Sequence, residues 1–403
     1  MESSDAAAGL LCTNCGTSHS LSATATRCPS CDGALIVSYN YDDINVEEIT
    51  NFSPATMWGF DQLLPATAGA AVSMSEGNTP MIECPDAATE LGVEELYIKD
   101  EAQLPTGTFQ DRGFAVTVSA LASTDITDVA LPSTGAAGQS AAAYAARADL
   151  DAHVFQPSRA DFISQAMTNV HDADLNVVKG RYQDAVKTYS DTATTAGWHP
   201  LAPFATPYRI AGVKTIIFEI LDDLDWSAPD VVVLPEGSGL LTYAIYRGIV
   251  DMQQLGLIDE PPALLLAQPT DCAPLAEAIQ SDEPVTQWTH PDTICGELEV
   301  SDPDEGEIVT DAVHATNGIG ATAGDKPSLG TACWLAANDG VELRLGGAVG
   351  LQSLFNASST AQINDAEQVV VLNTGSAIRD ADLIRSHLMS TEWDRMPTPV
   401  SES

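Results

Sequence analysis

Apolar, β-branched runs alternate with helix-spaced apolar patterns from roughly residue 75 to the end of this 403-residue chain. The runs ITDVALPS (126–133), AHVFQPS (152–158), ADLNVVKG (173–180), DVVVLPEGSG (230–239), ALLLAQ (263–268) and QVVVLNTGS (368–376) predict strands. Their near-continuous Val, Ile and Leu suit strands buried on both faces. Stretches such as GQSAAAYAARA (138–148) predict the helices between them. Strand and helix in alternation predict an α/β fold with parallel sheets covered on both sides. Upstream, ALIVSYNY (34–41) predicts one further strand.

That upstream strand follows the pairs CTNCG and CPSCDG, in which Cys12, Cys15, Cys28 and Cys31 take the spacing C-x2-C-x12-C-x2-C. Two knuckle turns of this kind bring four thiolates together, and tetrahedral sulfur suits a structural zinc ion with no open position for catalysis. His19 lies in the polar loop between the pairs and is expected to be solvated. The module predicts a zinc ribbon over residues 1–40.

Charge changes the picture of habitat more than of chemistry. The chain carries 57 acidic and 16 basic residues, a net charge of −41, scattered through segments that keep 44% apolar content. Such a surface repels nucleic acid and anionic membranes. Because the acidic residues are dispersed among periodic apolar segments, a folded protein adapted to a high-salt cytoplasm is expected, since salt screens the self-repulsion. No apolar stretch approaches a membrane span or a signal peptide. Four single cysteines, Cys84, Cys272, Cys295 and Cys333, suit a reducing compartment. The polar end, MPTPVSES, predicts a frayed tail over 396–403.

Several strands end in a Gly- or Ser-rich turn that opens a helix, the place where α/β folds hold anions and ligands. STGAAGQS (Ser133 to Ser140), PEGSGL (Pro235 to Leu240) and NTGSAIRD (Asn373 to Asp380) are such turns. Each alone is a weak signal. With EGNTP (76–80), KDE (99–101), MWGFDQLLP (57–65), PTGTFQDRG (105–113) and TPYRIAGVKTIIFEI (206–220), in this order, they are specific. The chain resembles the threonine synthase family, pyridoxal-phosphate enzymes of the tryptophan synthase β type (fold type II), over nearly its whole length.

The resemblance implies a large domain made of 41–112 and 206–395, a small α/β domain over 113–205, and a cofactor between them. It also implies a lysine in the pattern S-F-K-D-R-G, forming the Schiff base and moving the substrate's α-proton. This chain has Gln110 there. An amide nitrogen is neither nucleophile nor base, so covalent anchoring at 110 is chemically excluded. The family's S-T-G-N-T places an asparagine where this chain has Ala136, and its phosphate loop G-N-G-G corresponds to Gly237, Ser238, Gly239 and Leu240, with Glu236 just before. A glutamate facing a phosphate would repel it, and Leu240 is poorly shaped for the loop.

Ser133, Thr134 and Gly135 correspond to the loop that grips the substrate carboxylate, and Thr374 to the residue facing the cofactor's ring nitrogen. Asp111 and Arg112 persist at the helix start, as pocket residues or as a helix cap with a surface ion pair. Lys99 and Lys214 belong to motifs shared with active relatives, while Lys326 has no assigned place. The expected reading is a threonine synthase-like pseudoenzyme without lysine-dependent catalysis, holding pyridoxal phosphate non-covalently at most and binding a small carboxylate or phosphorylated metabolite. The rival is an active enzyme converting O-phosphohomoserine to threonine. Assembly is expected as a homodimer or as a heteromer with an active paralogue.

Overall fold

The protein is represented by a computed structural model that describes residues 4–51, 55–358, 360, 363 and 366–390. The tail expected at 396–403 lies outside the described residues. The Ala-rich start is itself a strand: β1 (Ala7–Cys12) pairs antiparallel with β2 (Ser18–His19) and β3 (Leu35–Tyr39) to form a three-stranded ribbon. The chain then lays down β4 (Met81–Glu83) and β5 (Glu95–Asp100). It leaves to build a second sheet from β6 (Asp128–Pro132), β7 (Asp151–Pro157), β8 (Asp174–Val178) and β9 (His199–Pro200). It returns with β10 (Val231–Pro235), β11 (Ala263–Pro269), β12 (Ile319–Ala323) and β13 (Gln368–Asn373).

The six-stranded sheet has the order β12-β11-β10-β13-β5-β4 and the four-stranded one β8-β7-β6-β9. All pairings in the two are parallel except the antiparallel edge β4–β5. Every residue of β10 is buried, as its VVVLP run predicts. All six apolar runs from residue 126 onward form strands. The strands without such a run are short or polar at their ends: ELYIKD in β5 keeps Lys99 and Asp100 buried at its C-terminal end. Their burial is decided by partners elsewhere in the chain.

Six helices position the cleft between the sheets: α1 (Gln110–Leu121), α2 (Ala136–Arg147), α3 (Pro207–Val213), α4 (Thr215–Asp223), α5 (Leu240–Gln254) and α6 (Leu345–Asn356). Helices α1 and α3 touch backbone to backbone, because a Cβ on Gly212 would lie 2.1 Å from the Arg112 carbonyl oxygen. Nothing larger than glycine permits that crossing.

Arg112 is the centre of a buried charge network and not part of a surface pair. Its Nε and Nη2 donate to both Glu101 oxygens at 2.6 and 2.8 Å, and Nη1 and Nη2 donate to both Glu219 oxygens at 2.6 and 2.7 Å. Glu219 also accepts from the Asn78 and Thr79 amides at 2.9 and 3.2 Å and lies 3.3 Å from Lys99 Nζ. Asp111 is likewise fully buried, bonded to Thr106 N at 2.7 Å and Ser140 Oγ at 2.5 Å. Four separate pieces of sequence are tied here: EGNTP, KDE, the start of α1, and α4.

Removing one partner of such a network leaves buried charge uncompensated, a loss of about 3–5 kcal/mol. Arg112→Met is therefore expected to lower unfolding free energy by about that amount, measured by chemical denaturation.

Candidate functional site

A cleft lies between the C-terminal ends of β6, β10 and β13, where their strand-end turns face one another. Its free volume is only about 70 Å³, whereas pockets for small molecules commonly span about 300–1,000 Å³. Of the residues singled out from sequence, Gln110, Ser133, Thr134, Ala136, Glu236, Gly237, Ser238 and Thr374 line it. Asp111, Arg112, Gly135 and Gly239 do not: the first two are buried behind it, and the glycines shape the turns.

The turn before α1 is sewn to the end of β13. Phe109 N donates to Thr374 O at 3.1 Å, and Thr108 bridges to Gly375. At the start of α2, the buried Ser133 hydroxyl accepts from the Gly135 and Gly138 amides at 3.0 and 2.7 Å. Gly135 adopts φ +149°, and a Cβ there would meet Asp161 Oδ2 at 2.9 Å, so glycine is required. The amides of Ala136 and Ala137 open the helix, have no acceptor among the described residues, and border the cleft. The Thr374 hydroxyl, 3% exposed, has no hydrogen-bond partner either.

Gln110 is held by an arginine that its neighbourhood in sequence does not reveal. Arg209 Nη2, on α3, donates to Gln110 Oε1 at 2.5 Å and Nη1 to Leu201 O at 2.9 Å, with the guanidinium 4.4 Å from the centre of the Phe114 ring. Arg209 is 1% exposed, its Nε is unpartnered, and no carboxylate pairs with it among the described residues. Burial pushes its pKa down to about 10, against a small opposing influence from Tyr182. A buried cation without a counter-ion favours an anion in the space it faces.

Glu236 neither points at open space nor turns away from the loop. Its carboxylate folds into the loop that opens α5, accepting from Gly237 N at 2.9 Å, Gly239 N at 2.7 Å, Thr242 N at 2.8 Å and Thr242 Oγ1 at 2.9 Å. Burial raises its pKa, and these donors oppose the rise. Leu240, which stands where the family pattern has glycine, packs into the main apolar core at 1% exposure.

A second group of charges closes the cleft from the side of α6. Arg344 Nε lies 2.9 Å from Glu297 Oε2, Gly346 N donates to Glu297 Oε1 at 2.8 Å, and Leu345 N donates to Asp380 Oδ2 at 2.8 Å. Arg379 reaches across to Ser164 Oγ at 2.6 Å and Thr106 O at 2.7 Å. Burial pushes Glu297 up to about 7, Arg344 opposing and Asp380 and Asp161 adding to the rise. Arg379 and Asp380 end the NTGSAIRD turn, but only the fold brings them together with positions 161, 297 and 344.

None of the chain's five lysines lines the cleft. Lys99 bonds Asp223 at 2.8 Å and Lys214 bonds Asp251 at 2.5 Å, while Lys179, Lys187 and Lys326 are exposed. The unassigned Lys326 thus lies on a surface helix, Asp325–Asn338.

In the ribbon, the sulfurs of Cys12, Cys15, Cys28 and Cys31 lie within 4.8 Å of one another, with Cys12–Cys31 at 3.5 Å and Cys15–Cys28 at 3.8 Å. Four sulfurs about 2.3 Å from a tetrahedral ion are about 3.8 Å apart, so the cluster can hold a metal. His19 is not merely solvated: its Nε2 lies 3.4 Å from Cys28 Sγ, beside the cluster.

Comparison with known proteins agrees with this geometry. Residues 72–375 match the family described as pyridoxal-phosphate dependent enzyme. The chain is 30% identical over 379 residues to the threonine synthase of Methanosarcina acetivorans, covering 93% of each chain. It is 29% identical over 377 residues to that of Methanocaldococcus jannaschii, covering 92% of this chain and 93% of the relative. Maize serine racemase shares the fold with a TM-score of 0.65 at 17% identity, covering 79% of this chain and 94% of the racemase. Threonine deaminase isoform 2 of Solanum lycopersicum does so with a TM-score of 0.64 at 17% identity, covering 77% and 83%.

The Glu297 cluster generates a pH dependence. Between the ordinary carboxyl value of 4.5 and about 7, the folded protein retains a proton that the unfolded chain has lost. Folding stability from this group is therefore present below pH 4.5 and is lost as pH rises through about 7. Denaturation curves at pH 5 and pH 8 are expected to differ more for the wild type than for Glu297→Gln.

Proposed function

Because the chain belongs to the pyridoxal-phosphate dependent enzyme family, in its threonine synthase-like part, we propose that it is a member without lysine-dependent catalysis that binds a small anionic metabolite, carboxylated or phosphorylated. The observation that carries this reading is the position of Gln110. It lines the cleft at the start of α1, its carbonyl is engaged by Arg209, and no lysine reaches the same space. Pyridoxal phosphate does not fit the residues present. Its aldehyde has no amine in the cleft to condense with, and the strand-end loop best shaped for its phosphate holds the Glu236 carboxylate.

What remains suits recognition. The first-turn amides of α2, the Thr374 hydroxyl and the uncompensated Arg209 charge converge on one small space. Charge-assisted hydrogen bonds from such donors are about twice as strong as neutral ones. A carboxylate bound there would neutralise Arg209 at little cost in reorganisation. The ribbon is assigned a structural zinc ion on its four sulfurs, with His19 as a supporting neighbour. Assembly as a homodimer, or with an active paralogue, belongs to the same proposal, as does the division into a large domain of 41–112 with 206–395 and a small one of 113–205.

Protein purified with no pyridoxal phosphate added is expected to show no internal-aldimine absorbance band and, after borohydride reduction, no pyridoxyl group on any lysine by peptide mass spectrometry, and the native gene is expected not to restore growth of a threonine auxotroph. A pyridoxyl-lysine, or restored growth, overturns the reading in favour of an active threonine synthase. Elemental analysis is expected to find one zinc per chain. Its removal by a chelator is expected to lower the Tm, because binding to the native state is folding free energy.

A further inference from the structure

The turn between β10 and α5 has the form of an anion cradle. Gly237 and Gly239 allow the backbone to curl, with Gly239 at φ +91°, and the amides of Gly237, Gly239 and Thr242 converge on one point at the positive end of a 15-residue helix. A glutamate of the same turn already occupies that point. Glu236 is 3% exposed, and its two oxygens take up all three amides and the Thr242 hydroxyl at 2.7–2.9 Å. No cation pairs with it among the described residues. The helix start is its counter-charge.

We infer that Glu236 is a built-in replacement for a bound anion, closing this cradle to phosphate and restricting the ligand to compounds that carry a carboxylate but no phosphate group. This rests on the proposed binding role of the cleft and narrows it. The cleft has two cradles. That at the start of α2 keeps the Ala136 and Ala137 amides free beside Thr374, whereas that at the start of α5 is filled by the protein itself. A phosphorylated ligand would have to displace a carboxylate that is hydrogen-bonded four times, or share the cradle with a like charge. At about 4 Å, and at an effective dielectric near 20, such a pair repels by several RT before salt screening. A ligand with one carboxylate meets no such conflict at α2.

Glu236 therefore does more than repel a phosphate. The cradle is not damaged; it is satisfied. Deleting the carboxylate should unmask phosphate binding in an otherwise unchanged loop, because the glycines and Thr242 that form it remain.

The test uses inorganic phosphate with the full-length protein in calorimetric titration, together with Tm in phosphate against chloride at matched ionic strength. Glu236→Ala is expected to bind phosphate about tenfold tighter than the wild type, or more, and to gain more Tm from phosphate than the wild type does. The general salting effect of phosphate acts on both proteins and cancels in that comparison. A crystal of the variant soaked in phosphate is expected to place it on the Gly239 and Thr242 amides. If Glu236→Ala folds poorly, phosphate is expected to rescue its folding, and Glu236→Gln, which keeps the shape and loses the charge, is expected to lie between the two. Saturable phosphate binding at this loop in the wild type overturns the inference, as does absence of any phosphate-specific gain in both variants. Phosphate carries no aldehyde, so this outcome is independent of the borohydride result that decides the lysine question.

Discussion

Arg112 is the point on which the rest of the arrangement depends. A fully buried guanidinium is costly to desolvate and is stable only when its donors are met by charge, here by both oxygens of Glu101 and both of Glu219. Those carboxylates are themselves held by EGNTP, KDE and Lys99, so β5, α1 and α4 cannot shift independently. Two residues before Arg112 stands Gln110. The network thus fixes the first turn of α1, and with it the side chain presented to the cleft, as firmly as it would have fixed a lysine.

The close crossing at Gly212 extends that constraint to α3 and delivers Arg209 to Gln110. The result is a catalytic scaffold carrying a neutral amide backed by a buried cation. On the opposite wall, Glu236 supplies the negative charge that the α5 helix start attracts. The two helix starts therefore differ: the first amides of α2 have no acceptor among the described residues, while those of the α5 turn are taken up by Glu236. The Glu297, Arg344 and Asp380 group joins α6 to the segment before it, and Arg379 joins the cleft's rim to Ser164 near the second sheet.

The strand framework is legible in sequence because buried parallel strands need apolar side chains on both faces, and such runs are local. Val231–Pro235 and Gln368–Asn373 can be read directly. Glu95–Asp100 cannot, since Lys99 is buried by virtue of Asp223, Glu219 and the Thr79 carbonyl, all distant in the chain. For the site, the turns are legible as turns and Gln110 as a residue without an amine. Sequence leaves the direction of the Glu236 side chain open; in the fold its carboxylate takes up the amides of its own turn. It leaves Leu240 open too, whose position in the first turn of α5 directs it into the core. Asp111 and Arg112, read as pocket or surface groups, are internal for the same kind of reason: their partners come from other segments.

The α/β class, the four-sulfur cluster, the places where strands give way to helices, and the absence of a reactive amine at position 110 can all be read along the chain. These follow from local rules of periodicity, spacing and functional-group chemistry. Which charges are paired, that no carboxylate among the described residues meets Arg209, and that Glu236 is taken up by the amides of its own turn emerge only in the folded chain. Burial and pairing depend on which distant segments meet, and the free energy of a charge is set by those neighbours far more than by the residues beside it in the chain.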